Sequence, residues 1–224
     1  MTFISLAIQA LLISSSLFSS ATAANAPTFR PTVSVTAFTD LPIDLGSANK
    51  YAILAGTTVT SAGQTGTVVY GDIGLNPGSA VEGFPPAVCY GAIDGGSAAA
   101  GTAQGSLTAA YDEAAGRAPT AILTGQDLGG LTLAHGVYKF TSSASLIGDL
   151  TLNAFGDWNA VWVFQIASGL NIAQSSRVLF KDGIGNPDRV YWQMGSSATI
   201  KHDTSVVGNF MALQSISMDT GAVI

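Results

Sequence analysis

The chain has 224 residues, of which 47% are hydrophobic and only 10% are charged, against roughly 25% charged residues in an average soluble domain. The formal net charge of −6 repels phosphate groups and disfavours nucleic-acid binding. The hydrophobic content is enough to build a core, which argues against disorder, and the length suits one folded domain.

The first 23 residues are typical of a secretory signal peptide. The stretch is apolar, its ending Ala21-Thr22-Ala23 is an A-x-A cleavage pattern, and no ionisable side chain occurs before Arg30. Serines interrupt the apolar run well short of the roughly 20 residues that a membrane anchor needs. We therefore expect a secreted, extracellular protein with no membrane association once residues 1–23 are removed. Residues 24–40 are interpreted as a linker that contains proline and threonine, and residues 41–224 as the folded domain.

Cys89 is the single cysteine, so the fold has no intrachain disulfide. A catalytic thiol would need a nearby base, and the two histidines, His135 and His202, are both distant in sequence. A buried or incidental thiol is therefore the better interpretation. No motif points to a cofactor or a metal ion.

Residues 45–83 contain short apolar runs divided by glycine, asparagine and proline, a pattern that indicates short strands. Residues 84–96 are rich in turn-forming residues. Residues 97–117 are rich in alanine and form the one helix candidate, which Pro119 ends soon after Gly116. Two glycines inside this stretch weaken the helix, which must therefore lean on a partner.

Beyond residue 120 the sequence becomes quasi-repetitive. An apolar or aromatic segment is followed by a small polar segment and then by a third apolar segment. The four first segments begin at Val137, Val161, Val190 and Phe210. Three short strands per repeat predict a parallel β-helix with three sides, because a single turn cannot bury its inward side chains until others stack on it.

Alternation along the second segment of each repeat separates inward from outward side chains. Leu146, Ile172, Ile200 and Met218 are expected to point inward. The outward positions, which form the candidate binding face, are Thr58, Thr60, Ser145, Ile147, Asn171, Ala173, Thr199, Lys201, Ser217 and Asp219. The first segments are apolar on both sides, and the alanine-rich helix is the available cover for their outer side.

Four blocks occur in an order that resembles the microbial ice-binding (antifreeze) protein family of the DUF3494 type. They read DLGSANKYAILAGTTVTSAGQTGTVVYGDIGLNPG, TAAYDEAAGR, DLGGLTLAHGVYKF and VYWQMGSSATI, and the similarity runs from about residue 44 to residue 224. The resemblance implies an irregular right-handed β-helix of triangular cross-section with one long α-helix alongside. It also implies that the first coil lies beside the last.

The activity implied by the resemblance is adsorption to the surface of ice through the face described above, and we expect the protein to be a monomer. The sequence departs from the family at its end, because the family usually continues past a block similar to MDTGAVI. If the chain is complete as given, the first coil is expected to lack part of its partner, which would leave open strand edges.

Two alternatives come from other functional classes. A secreted β-helix enzyme acting on polysaccharides needs clustered carboxylates, whereas the acidic residues here are scattered and mostly adjoin turn residues, so we expect no enzyme. A non-catalytic cell-surface adhesin could use the same face. The aromatic residues that could suggest a sugar-stacking groove are expected instead to pack in the core or against the helix: Tyr138, Trp158, Trp162, Tyr191 and Trp192.

Overall fold

Short parallel strands dominate the computed structural model, which describes residues 41–61 and 67–224. The predicted signal peptide (1–23) and linker (24–40) lie outside these residues. No helix in the described part of the chain is long and apolar enough to cross a membrane.

In the described residues, seven strands precede the α-helix, and a 3-10 turn at Gly46–Lys50 leads into the first of them. In chain order they are β1 (Tyr51–Ala55), β2 (Thr58–Thr60), β3 (Val68–Val69), β4 (Asp72–Leu75), β5 (Ala80–Glu82), β6 (Val88–Cys89) and β7 (Ile93–Gly95). They pair in parallel as β1-β4-β7, β2-β5 and β3-β6. Each turn of the chain therefore adds one strand to each of three sides, which is the arrangement of a β-helix. We call the strands β1–β7 the first stack.

The alanine-rich segment forms helix α1 (Ala98–Gly116), which matches the predicted helix over 97–117 to within one residue at each end. The Ser97 side chain caps it by accepting a hydrogen bond of 3.1 Å from the backbone nitrogen of Ala100. The buried residues of α1 are all alanines: Ala100, Ala103, Ala110 and Ala114. Their small side chains allow the helix to lie close to the sheet beneath it.

Twelve strands follow α1 and form a second stack. In chain order they are β8 (Ala121–Ile122), β9 (Thr132–Ala134), β10 (Gly136–Phe140), β11 (Ala144–Leu146), β12 (Asp149–Asn153), β13 (Trp162–Ile166), β14 (Leu170–Ile172), β15 (Arg177–Phe180), β16 (Val190–Met194), β17 (Ala198–Ile200), β18 (Asn209–Ala212) and β19 (Ile216–Met218). They pair in parallel as β18-β16-β13-β10-β8, β11-β14-β17-β19 and β15-β12-β9. Two 3-10 turns, at Lys181–Gly183 and Pro187–Arg189, lie between β15 and β16.

Aromatic rings from successive turns lie face to face in the core of this second stack. Strand register aligns Tyr138 with Phe164, Phe164 with Trp192, and Trp192 with Phe210. The ring centroids of Phe164 and Trp192 are 4.1 Å apart and their planes differ by 10°. Stacking of this kind adds stability beyond the burial of area alone, so one side chain per turn links successive turns of the solenoid.

Helix α1 covers the outer side of the strands formed by the first segment of each repeat, as predicted. Strands β13 and β16 are buried along their whole length. The polar Gln165 in β13 is accommodated because its Nε2 donates hydrogen bonds of 2.8 and 2.7 Å to the backbone oxygens of Ala114 and Arg117 at the end of α1. The predicted three-sided β-helix with one long helix packed alongside is confirmed.

Both stacks lie beneath the same helix, since α1 contacts β1, β4 and β7 as well as β13 and β16. Among the described residues, however, the strands of the first stack pair only with one another, and so do those of the second. The implied position of the first coil beside the last is therefore not accompanied by strand pairing in this part of the chain.

Candidate functional site

The second segments of the four repeats form the sheet β11-β14-β17-β19. We call the outward surface of this sheet the four-strand face. Its register pairs Ser145 with Asn171, Asn171 with Thr199, and Thr199 with Ser217. These side chains therefore form one column, as the alternation in the sequence predicts. Because the strands are parallel and in register, neighbouring members of the column are about 4.8 Å apart.

Buried apolar side chains support this column from below. Leu146, Ile172 and Ile200 are at most 1% exposed, so the predicted inward direction is confirmed for them. Met218 pairs in register with Ile200 and so lies on the same side of the sheet, but it is 45% exposed. The reason is that β19 is the last strand of its sheet and no described strand covers its outer edge.

A second column follows two residues further along each strand. The backbone nitrogens of Ala173, Lys201 and Asp219 donate to the carbonyl oxygens of Leu146, Ile172 and Ile200 at 2.8–3.1 Å, which continues the ladder. Ile147 occupies the same position beside β11 and is 67% exposed. Lys201 Nζ lies 3.4 Å from Asp219 Oδ2, so the two charged residues in this column form an ion pair with each other.

The structure also adds a column that the sequence analysis did not single out, two residues before the first. Backbone hydrogen bonds join Ala144 to Gly169, Leu170 to Ser197 and Ala198 to Ser215. The column consists of Ser143, Gly169, Ser197 and Ser215, all at least partly exposed. The period of two that identified the column of Ser145, Asn171, Thr199 and Ser217 extends to these positions. The alternation in the sequence could therefore have predicted this column as well.

One further residue that the sequence analysis missed closes the face at its first strand. Asp127 forms a parallel bridge with Ser145, and its Oδ2 accepts a hydrogen bond from the Ser145 hydroxyl. Its Oδ1 accepts hydrogen bonds from the backbone nitrogens of Ile147 at 3.0 Å and Gly129 at 2.7 Å. The repeat pattern gave no signal for Asp127 because this residue precedes the first complete repeat.

Thr58 and Thr60 lie on β2, which belongs to the first stack. Val59 between them is half-buried and both threonines are exposed, in agreement with the predicted directions. They align with Ala80 and Glu82 of β5 and, within the described residues, share no strand pairing with the four-strand face. The structure therefore brings together eight of the ten predicted positions and leaves these two on a separate sheet.

The other two sides of the second stack differ from the four-strand face in what lies on them. One side is covered by α1. The sheet β9-β12-β15 on the other carries an ion pair in which Arg177 Nε donates to Asp149 Oδ1 at 2.9 Å. This hydrogen bond holds the pKa of the Asp149 carboxyl below its ordinary value and keeps both side chains charged.

In the described ranges, no group of three or more His, Cys, Asp and Glu side chains could hold a metal ion. An open cleft of about 440 Å³ contains Asp44, Asp188 and Arg189. Asp44 accepts a hydrogen bond from the backbone nitrogen of Gly46, and Arg189 donates one to the carbonyl oxygen of Asn159, so both already hold the backbone in place.

The aromatic residues considered for a sugar-binding groove are mostly in the core. Tyr138, Trp162, Tyr191 and Trp192 are at most 6% exposed, which confirms their predicted packing. Trp158 is 56% exposed, so the prediction was wrong for this residue. It lies in the connection between β12 and β13 rather than within an apolar strand, which explains the difference.

Comparison with known proteins points to a single family. Residues 53–224 match the family described as ice-binding-like. An ice-binding protein of Nostoc sp. (strain HG1) is 44% identical over 79% of this chain. An ice-binding protein of Leucosporidium sp. (strain AY30) is 31% identical over 82% of this chain and 76% of its own length. The chain spans only 64% of the length of the Nostoc relative.

Solved structures show the same similarity at the level of the fold. An ice-binding protein from an Antarctic biological consortium superposes with a TM-score of 0.75 at 36% identity, covering 81% of this chain and 90% of that one. The ice-binding protein of the ascomycete Antarctomyces psychrotrophicus gives a TM-score of 0.76 at 31% identity, covering 82% and 98%. The β-helix, its accompanying helix and the family match agree, and the chain belongs to the ice-binding-like family.

Proposed function

We propose that this chain is an extracellular ice-binding protein that adsorbs to ice through the four-strand face and so inhibits ice growth and recrystallisation. The observation that carries the proposal is the in-register alignment of outward side chains on β11, β14, β17 and β19. The family membership of the chain, whose relatives are ice-binding proteins, supports the same function.

The dimensions of the face suit a crystalline ligand. Neighbouring strands are about 4.8 Å apart and outward residues on one strand about 6.7 Å apart, so the three columns form a two-dimensional grid. The buried leucine and isoleucines beneath it hold the grid rigid. A ligand that is itself a regular lattice can be contacted at many points at once by such a surface.

The chemistry of the grid also suits ordered water. A charged side chain holds its own shell of water, which does not match a crystal. A hydroxyl or amide group can instead anchor one ordered water molecule, while a neighbouring methyl group disfavours disordered hydration. Ser145, Asn171, Thr199 and Ser217 supply the polar groups, and Ile147 and Ala173 supply apolar ones.

Affinity must come from the number of contacts. A single hydrogen bond contributes only about 0.5–1.5 kcal/mol net, and a preorganised surface makes many without a further entropic cost of ordering. Molecules adsorbed in this way would force the ice front to curve between them and slow its growth. Because the columns mix several residue types and include an ion pair, we expect moderate growth inhibition and a stronger effect on recrystallisation.

The remaining parts of the proposal concern the state of the protein. We propose that it acts as a secreted monomer after loss of residues 1–23, without catalytic activity, cofactor or metal, and without a membrane or nucleic acid as partner. Sequencing the N-terminus of protein collected from the culture medium tests the cleavage site. Size-exclusion chromatography with light scattering tests the oligomeric state.

Ice-affinity partitioning tests the central claim. The protein is added to a stirred solution from which ice grows slowly, and its amounts in the ice and the liquid are compared. Incorporation into ice, together with thermal hysteresis in a nanolitre osmometer, is the expected result. Exclusion from the ice, as for an unrelated protein of similar size, would refute the proposal and favour an adhesin or a polysaccharide-active enzyme.

A further inference from the structure

The first strand of the four-strand face differs chemically from the others. The Ser145 hydroxyl donates its hydrogen to Asp127, whereas the side chains of Asn171 and Thr199 form no hydrogen bond with other described residues. A serine hydroxyl has one hydrogen and two lone pairs. Ser145 can therefore only accept hydrogen bonds from outside the protein, while Asn171 and Thr199 can both donate and accept.

The Asp127 carboxylate is held firmly in this position. Its two oxygens together accept three hydrogen bonds, two of them from backbone nitrogens. The backbone also passes closely here, because a Cβ atom on Gly129 would lie 1.8 Å from the carbonyl oxygen of Ile147. The direction of the Ser145 hydroxyl is thus fixed by a rigid neighbour rather than chosen by the ligand.

We propose that Asp127 is a positioning residue of the four-strand face, which turns the Ser145 hydroxyl hydrogen toward its own carboxylate, and so ends the part of the face that can both donate to and accept from ordered water. This inference rests on the proposed function, since it concerns how that face meets ice. Asp127 acts through Ser145. At this position on β11, a water molecule can bind only as a hydrogen-bond donor, with one of its hydrogens toward the Ser145 oxygen.

The D127N variant reverses this arrangement with little change in shape. The amide oxygen can keep both backbone hydrogen bonds, while the amide nitrogen replaces Oδ2 and donates to the Ser145 oxygen. The hydroxyl hydrogen must then turn outward. We expect D127N to raise thermal hysteresis at a given protein concentration, a change of sign that structural damage would not produce.

The control is D157N, which removes the same charge from a comparable turn away from the face. Asp157 Oδ1 accepts a hydrogen bond of 2.8 Å from the backbone nitrogen of Asn159, as Asp127 Oδ1 does from Gly129, and Asp157 lies in the connection between β12 and β13. We expect D157N to leave thermal hysteresis unchanged. Melting temperatures of both variants show whether the fold is retained.

A double-mutant cycle with S145A decides whether Asp127 acts through the hydroxyl. We expect the gain from D127N to be lost when Ser145 is alanine. An equal gain in both backgrounds would show that the carboxylate acts by charge alone and would overturn the proposal, as would a fall in thermal hysteresis in D127N at an unchanged melting temperature. Exclusion of the unaltered chain from ice would overturn the proposed function and this inference together, which distinguishes the two failures.

Discussion

Substitution of Asn171 by tyrosine is the sharpest test of the four-strand face. Asn171 is exposed and lies on β14, with Ser145 on one neighbouring strand and Thr199 on the other. Tyrosine is well tolerated in strands, and its ring extends beyond the asparagine amide by about two bond lengths, or about 3 Å. The ring would hold a flat ice surface beyond hydrogen-bonding distance of the neighbouring positions.

The size of the effect follows from the spacing of the grid. Every outward position on β11, β14 and β17 lies within about 8 Å of Asn171, given strands about 4.8 Å apart and residues about 6.7 Å apart on each strand. Loss of four anchoring hydrogen bonds, each at the lower end of the usual range, removes about 2 kcal/mol, or roughly a 30-fold fall in the adsorption constant. We therefore expect N171Y to lose most of its thermal hysteresis and its incorporation into ice.

A matched control separates the face from the fold. Thr151 occupies the middle strand of β9-β12-β15, between Thr132 and Leu179, so T151Y places the same ring at an equivalent position on another side. T151Y is expected to keep full activity, and both variants should melt near the temperature of the unaltered protein. Full activity in N171Y, or an equal loss in T151Y, would refute the assignment of the face.

The position of the substitution along the column should grade the effect. T199Y places the ring on β17, between two strands, whereas S217Y places it on β19, at the edge of the sheet. A ring at the edge disturbs fewer neighbours. The expected order of lost thermal hysteresis is N171Y and T199Y before S217Y, and the reverse order would indicate that the centre of the contact lies near β19 rather than on the middle strands.

Three further predictions concern stability, measured by calorimetry or denaturant unfolding. W192A removes the fully buried ring stacked 4.1 Å from Phe164 and should cost about 3–5 kcal/mol; a cost below about 1 kcal/mol would contradict the stacked core. Q165A leaves the carbonyl oxygens at the end of α1 without their donor and should cost about 1–3 kcal/mol, whereas no change in melting temperature would deny this role. The Tyr51 hydroxyl and Lys50 Nζ donate hydrogen bonds to the Asp94 carboxylate and lower its pKa. This contribution to stability is therefore fully present above the unfolded pKa of about 3.9 and is lost as the pH falls through the lower folded value. In D94N, unfolding should depend less on pH below about 4, and an unchanged acid dependence would contradict the contribution of Asp94.

The main column of the face could be predicted because two periodicities coincide there. A period of two separates outward from inward residues, and the longer repeat brings Asn171, Thr199 and Ser217 to the same position in successive turns. Either periodicity alone would leave the register of the strands open. The covering of β13 and β16 by α1 followed from their composition, since strands that are apolar on both sides need cover on both.

Contacts from outside the repeat could not be predicted from the repeat pattern. Asp127 closes the face from a segment that shows no repeat pattern, and Thr58 pairs with β5 in a different stack. Met218 fits the inward pattern, yet its exposure depends on whether another strand follows, which alternation cannot show. The ion pair between Lys201 and Asp219 could not be predicted, because it depends on side-chain geometry across β17 and β19.

Several of the few charged residues form ion pairs between neighbouring strands. Lys50 joins carboxylates of β4 and β7, Arg177 of β15 joins Asp149 of β12, and Lys201 joins Asp219 across the last two strands of their sheet. Such exposed pairs each contribute little to stability, so the solenoid depends mainly on its buried apolar and aromatic columns. The outward side chains of β11, β14 and β17 therefore have no large structural task and can be selected for what they contact. A surface freed in this way can stay nearly uncharged because the core beneath it supplies the rigidity that a lattice-binding face requires.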